Sequence, residues 1–146
     1  MNPFLLPSSD RLTEWKKFRN TLPALDELTQ FTEVVKFFSK APLENRSYDI
    51  TDLKSWPTPW ELMNENLWCR DSIAVGMEFT LGLSGINRER MEINHIIFKN
   101  KSDERLILKI DQRWILNYDW GSIAENIDDH RVLSRWKYTG RSYTSF

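Results

Sequence analysis

The chain has 146 residues, the usual length of one globular domain, and its formal net charge at pH 7 is -1. Its 20 Lys and Arg residues are balanced by 21 Asp and Glu residues, so charge does not draw the protein to nucleic acid or to an anionic membrane. We therefore expect no specific nucleic-acid partner and no membrane partner.

Cysteine content and the N-terminal sequence indicate a cytoplasmic protein. Cys69 is the only cysteine, which excludes an intramolecular disulfide and a cysteine-based zinc site. The N-terminus has a short apolar patch without a basic start or a long apolar core, so neither a signal peptide nor a membrane span is predicted. We expect a single domain over residues 1–146, with a short N-terminal arm at 1–9 and a loosely held tail at 139–146.

Apolar periodicity predicts helices in the first part of the chain. Residues 8–22 and 24–39 repeat their apolar side chains every three or four positions, as amphipathic helices do. A third helix is predicted to begin at Thr58, because Thr58 and Glu61 match a capping box, with Pro59 presetting the first turn.

A fourth helix is predicted to follow after Asn66, with Asn66 as its N-cap and Leu67 as its first helical residue. Its apolar residues lie on more than one face, which is typical of a helix in the centre of a domain. Cys69 then falls in the first turn of this central helix.

Beyond Asn87 the apolar period changes from helical to alternating, which predicts strands. Residues 91–98, 105–110 and 113–119 are predicted to form a three-stranded meander, and residues 132–138 a fourth strand or a docking arm. The sequence therefore predicts an α+β fold, in which N-terminal helices, including a central one that bears a nucleophile, pack on a small antiparallel sheet.

Three residues suggest chemistry, namely Cys69, His95 and Asp119. Unpaired amides and the helix dipole at the start of a helix favour a thiolate, although free cysteines are also commonly buried and inert. His95 lies mid-strand among apolar residues and needs a partner there; a satisfied core histidine is the alternative interpretation. Asp119 is expected to lie beside His95 if their strands are neighbours, and to orient its ring.

The order Cys, His, Asp resembles that of the transglutaminase-like cysteine enzymes, a papain-like superfamily. Residues 58–86 resemble its short helix and nucleophile helix, and Trp114-Ile115-Leu116-Asn117-Tyr118-Asp119 resembles its aromatic-led strand that ends in an aspartate. The resemblance implies Cys69 as nucleophile, His95 as general base and then acid, and Asp119 as the orienting carboxylate. It implies an acyltransferase, amidohydrolase or protease that acts on a protein or peptide and needs no metal or organic cofactor.

The aromatic content supports a competing hypothesis. Seven Trp, eight Phe and four Tyr residues are many for this length, and rings at Phe4 and Trp56 are potential anchors for another protein. A compact, Trp-rich chain with a docking arm at each end also resembles small proteins of tailed bacteriophages of cyanobacteria. On this view the chain is a non-catalytic virion or scaffold-type assembly protein of the host cytoplasm or the virion, with a protein assembly partner or an oligomer formed through its aromatic arms.

Overall fold

The computed structural model describes residues 2–45, 48–100 and 102–146, and within these ranges the protein is α+β. The described residues contain four α-helices and a six-stranded antiparallel sheet, so the predicted fold class is confirmed. The helices are α1 (Ser8–Thr21), α2 (Glu27–Phe38), α3 (Pro59–Glu65) and α4 (Ser72–Leu83). The strands are β1 (Met91–Phe98), β2 (Glu104–Ile110), β3 (Trp114–Leu116), β4 (Ala124–Glu125), β5 (His130–Thr139) and β6 (Ser142–Ser145).

The sheet has the order β4-β3-β2-β1-β5-β6. The predicted meander of β1, β2 and β3 is confirmed, and its second turn uses Asp111 and Gln112, both with φ of 55°, as a type I′ hairpin requires. The strand predicted over residues 132–138 is part of β5, which pairs with β1 instead of extending the meander. His95, on β1, therefore lies in the middle of the sheet.

The helices cover one face of this sheet. The central helix α4 is buried along most of its length, as predicted, and its Ala74 and Val75 share a core cluster with Ile93 of β1 and Leu106 of β2. The opposite face carries a smaller apolar cluster that includes Ile96, Ile107, Ile115, Tyr118 and Ala124. Because side chains alternate along β1, His95 lies on the helix-covered face with Ile93.

The two chain ends are packed more closely than the sequence predicts. Met1 lies outside the described residues, but Phe4 is buried, and its ring centroid is 5.3 Å from that of Phe37 and 6.0 Å from that of Trp68. The tail, expected to be loosely held, forms β6 and buries Tyr143. Trp56, an expected anchor, is buried as well.

Candidate active site

The segment between α3 and α4 carries Cys69, and it differs from the prediction. The capping box of Thr58 and Glu61 is confirmed, but α4 begins at Ser72 and not at Leu67. Asn66 takes the left-handed conformation (φ 58°, ψ 36°), which closes α3 and does not start the next helix. Asparagine adopts both roles, so sequence alone did not separate them.

Cys69 nevertheless lies at the amide end of α4. Its Sγ accepts a hydrogen bond from the backbone N–H of Ser72 at 3.4 Å, and its own N–H donates to Ser72 Oγ at 2.9 Å. An amide donor at a helix N-terminus stabilises negative charge on the sulfur that it contacts. Cys69 thus has the amide donor that was predicted for the first turn of a helix, although the residue itself precedes the helix.

Trp68 fixes the position of this segment. Its side chain is fully buried, with its ring centroid 5.5 Å from that of Phe38, and its carbonyl accepts from the N–H of Glu44 at 2.7 Å. Cys69 itself is 4% exposed. The sulfur therefore occupies a defined and nearly closed position.

Arg70 and Asp71, the two residues after Cys69, connect the segment to β2. The connection lies on the edge of β2 that is left open beyond the end of β3. Asp71 Oδ1 accepts from the N–H of Leu106 at 3.0 Å, and Asn117 Nδ2 donates to the carbonyls of Leu106 and Arg70, both at 2.9 Å. These side chains replace the strand partner that Leu106 lacks beyond β3. Leu106 is paired with His95 in the sheet, so these bonds bring the cysteine segment and the histidine to the same end of the domain.

The buried charge of Asp71 lowers the free energy of unfolding at neutral pH, so Asp71→Asn is expected to raise it in a pH-dependent way. Burial raises the pKa of the Asp71 carboxyl above its ordinary value, which means that ionisation disfavours the folded state as pH rises. An asparagine oxygen also accepts from Leu106, without the buried charge. We expect Asp71→Asn to unfold at higher urea than the wild type at pH 7, and the difference to shrink toward pH 4, near the ordinary aspartate pKa of about 3.9. A lower urea midpoint at pH 7 would contradict this account.

His95 is a buried imidazole with unused hydrogen-bonding capacity. Its side chain is 7% exposed, and in the described part of the chain neither ring nitrogen has a hydrogen-bond partner. Its Nε2 lies 3.6 Å from Oε1 of Glu104, and no hydrogen bond joins it to Cys69 within the described residues. A buried polar group left unpaired costs about 1–3 kcal/mol, and a catalytic role is one explanation for such a group in a native structure.

Asp119 does not lie where the sequence places it. Asn117, with φ of 64°, ends β3 early, and β2 separates β3 from the strand of His95. Asp119 is exposed, and among residues 2–45, 48–100 and 102–146 no hydrogen bond or ion pair joins it to His95. It lines a surface cavity of about 490 Å³ together with Phe98, Asn100, Asp103, Arg105, Tyr118, Ile127 and Asp129.

Sequence analysis did not single out Asp71, Glu104 or Asn117. Asp71 is two residues from the candidate nucleophile, and the alternation of β2 places Glu104 on the face of Leu106; both were available signals. Asn117 gave a weaker signal, as asparagine tolerates a left-handed turn. Within the described ranges, no group of three or more His, Cys, Asp or Glu side chains is arranged to hold a metal ion, and no helix is long and apolar enough to cross a membrane.

Comparisons with known proteins find similarity in fold and no match in sequence family. No family model matches the chain, and no curated protein matches it. Among solved structures, the chain is similar to LapG of Legionella pneumophila. One LapG structure gives 18% identity and a TM-score of 0.72 over 88% of this chain and 73% of that one. The calcium-bound LapG structure gives 17% identity and a TM-score of 0.69 over 84% and 72%. At this identity the likeness shows that the chain and LapG share a fold.

Proposed function

We propose that this protein is a cysteine acyl-transfer enzyme of the transglutaminase-like type, a hydrolase or protease that acts on amide bonds of proteins or peptides. One observation carries the proposal. Sγ of Cys69 accepts an amide hydrogen bond at the N-terminus of a central helix, while the strand on which that helix packs holds a buried, unpaired imidazole at His95. The fold shared with LapG, a transglutaminase-like cysteine protease, supports the proposal.

The reaction follows from the two side chains. His95 takes the proton of the Cys69 thiol, and the sulfur attacks the carbonyl carbon of the amide. His95 then gives that proton to the departing amine as the carbon–nitrogen bond breaks, which leaves a thioester on Cys69. Water or a second amine attacks the thioester and gives a proton to His95, which passes it to the Cys69 sulfur as the carbon–sulfur bond breaks. This step regenerates the thiol and releases the hydrolysis product or the cross-link.

Two parts of the expected mechanism have less support in the geometry. The backbone N–H of Cys69 is a candidate donor to the oxyanion, but it donates to Ser72 Oγ, so Ser72 must yield this donor when substrate binds. Asp119, proposed as the orienting carboxylate, makes no hydrogen bond or ion pair with His95 in the described residues. Apo sites often have long or misaligned catalytic hydrogen bonds that tighten on binding.

The competing proposal is a non-catalytic structural or assembly protein with the same fold. Its support is the burial of Cys69, which is 4% exposed, and the absence of a hydrogen bond between Cys69 and His95 in the described residues. Leu5, 82% exposed, and Trp60, 45% exposed, are among the exposed apolar side chains that an assembly partner could contact on this view.

The deciding experiment is the rate of Cys69 alkylation by iodoacetamide, measured on the folded protein at pH 6.5. A thiol with the ordinary pKa of about 8.5 is roughly 1% thiolate at that pH, so fast reaction requires activation. We expect wild-type Cys69 to react at least about tenfold faster than the free thiol of glutathione, and His95→Gln to lose about 100-fold, the lower end of what a general base contributes. Asp119→Asn tests the proposed orienting role.

The controls separate activation from exposure. Alkylation in 8 M urea should proceed at one common rate for all variants, because unfolding exposes Cys69 equally. A wild-type thiol that reacts only after unfolding, or a His95→Gln rate equal to that of the wild type, would reject the enzyme and favour the assembly protein.

A further inference from the structure

His95 needs a second interaction if it is to act as a base, and its surroundings offer a carboxylate for it. One ring nitrogen must face the thiol, and the other must be held so that the ring keeps its orientation and tautomer. Neither ring nitrogen has a hydrogen-bond partner in the described part of the chain, and Nε2 is the one that lies 3.6 Å from Glu104 Oε1. The ring thus presents one nitrogen to a carboxylate and keeps the other available.

We propose that Glu104, at the start of β2, is the carboxylate that positions His95. This inference rests on the proposed function and names a different acid from Asp119. In the reaction, Nε2–H donates to Glu104, and this fixes Nδ1 as the nitrogen that takes the thiol proton and later returns it. Glu104 stays ionised throughout and stabilises the imidazolium that forms between these two transfers.

The register of the sheet supports this pairing. Leu106 lies directly opposite His95, and Glu104 lies opposite Ile97, so Glu104 is the diagonal neighbour of His95 on the same face. Diagonal pairs are about 7–8 Å apart at the backbone, a distance that a glutamate side chain spans. No intervening strand separates them, in contrast to Asp119.

The other charged groups near His95 are already engaged. Asp71, before α4, accepts a hydrogen bond from the N–H of Leu106 and makes no hydrogen bond or ion pair with His95 in the described residues. On β5, the residue paired with His95 is Ser134, which does not titrate. Glu104 is half exposed, and within the described residues no Lys or Arg is ion-paired with it, so its carboxylate is available to the ring.

The test combines a spectroscopic and a kinetic measurement on the full chain. Protein labelled with 15N-histidine contains two rings, those of His95 and His130, and His130 is an internal reference. At pH 7 we expect Glu104→Gln to shift the ring 15N resonances of His95 but not those of His130, and Asp119→Asn to shift neither. This measurement does not depend on whether Cys69 reacts.

Alkylation at pH 6.5 supplies the kinetic measurement. We expect Glu104→Gln to slow the reaction of Cys69 at least about tenfold, a part of the general-base contribution of 10²–10⁴. A double variant with His95→Gln should react no more slowly than His95→Gln alone, because Glu104 acts through the ring. Glu125→Gln, at another exposed ion-paired glutamate, is the matched control and should react like the wild type.

The outcomes separate this inference from the proposed function. Unchanged His95 resonances in Glu104→Gln would overturn the pairing, whatever the thiol does. A reactive wild type whose rate survives Glu104→Gln but falls in Asp119→Asn would overturn Glu104 and retain the enzyme. A wild-type thiol that is inert until unfolding would overturn the enzyme, and with it any catalytic role for Glu104.

Discussion

Replacing His95 with leucine is expected to stabilise the protein while it removes the reactivity of Cys69. His95 is buried, and both of its ring nitrogens lack hydrogen-bond partners in the described part of the chain, which costs about 1–3 kcal/mol. Leucine fits the apolar surroundings provided by Ile93 and Leu106 and has no polar atoms to satisfy. We expect a gain of about 1 kcal/mol in the free energy of unfolding, together with a loss of at least about 100-fold in alkylation rate at pH 6.5.

Urea unfolding and iodoacetamide alkylation of the same preparations measure the two effects. His130→Leu is the matched control, because His130 is also buried but has a contact at 3.4 Å between its Nδ1 and Asp129 Oδ1. That variant is expected to lose stability and to keep its thiol reactivity. If His95→Leu instead unfolds at lower urea, the imidazole is a satisfied structural group and its catalytic role loses its main physical support.

The second large effect is expected at the ion pair of Glu78 and Arg88. Glu78 lies on α4 with a side chain 1% exposed, and Arg88 donates to both of its carboxylate oxygens, with the Nε bond at 2.9 Å. Tyr143 of β6 donates its hydroxyl to the same carboxylate at 3.1 Å. Burial, together with the nearby Glu78 charge, raises the pKa of Tyr143, so its hydroxyl remains a donor.

Arg88→Met is expected to lower the free energy of unfolding by about 3–5 kcal/mol, because it leaves the Glu78 charge buried without its partner. It also removes the contact of the guanidinium with the Tyr138 ring, 3.9 Å from the ring centroid. Urea denaturation at pH 7 measures the change. The matched control is the double variant Glu78→Gln with Arg88→Met, which removes both charges and should recover a large part of the loss. Equal losses in the single and double variants would show that packing of the arginine, and not the isolated charge, sets the stability.

The local sequence was sufficient to predict most of the secondary structure. The capping box at Thr58 and Glu61 and the alternation through β1 depend on side-chain chemistry within a few residues, and the structure contains both. The predictions failed where one residue type serves two local conformations. Asn66 ends a helix instead of capping one, and Asn117 turns the chain and ends β3 before Asp119.

By itself, the sequence determined the α+β class, the order of the helices and the meander, and Cys69 and His95 as the candidate reactive pair. These depend on periodicity and on the chemistry of single side chains. Only the tertiary structure decided that β2 separates Asp119 from the strand of His95, that Glu104 lies beside the ring, and that the start of α4 is held at Leu106. The physical reason is that neighbours across a sheet are fixed by register and strand order, which arise from packing of the whole chain and leave no pattern in a short window.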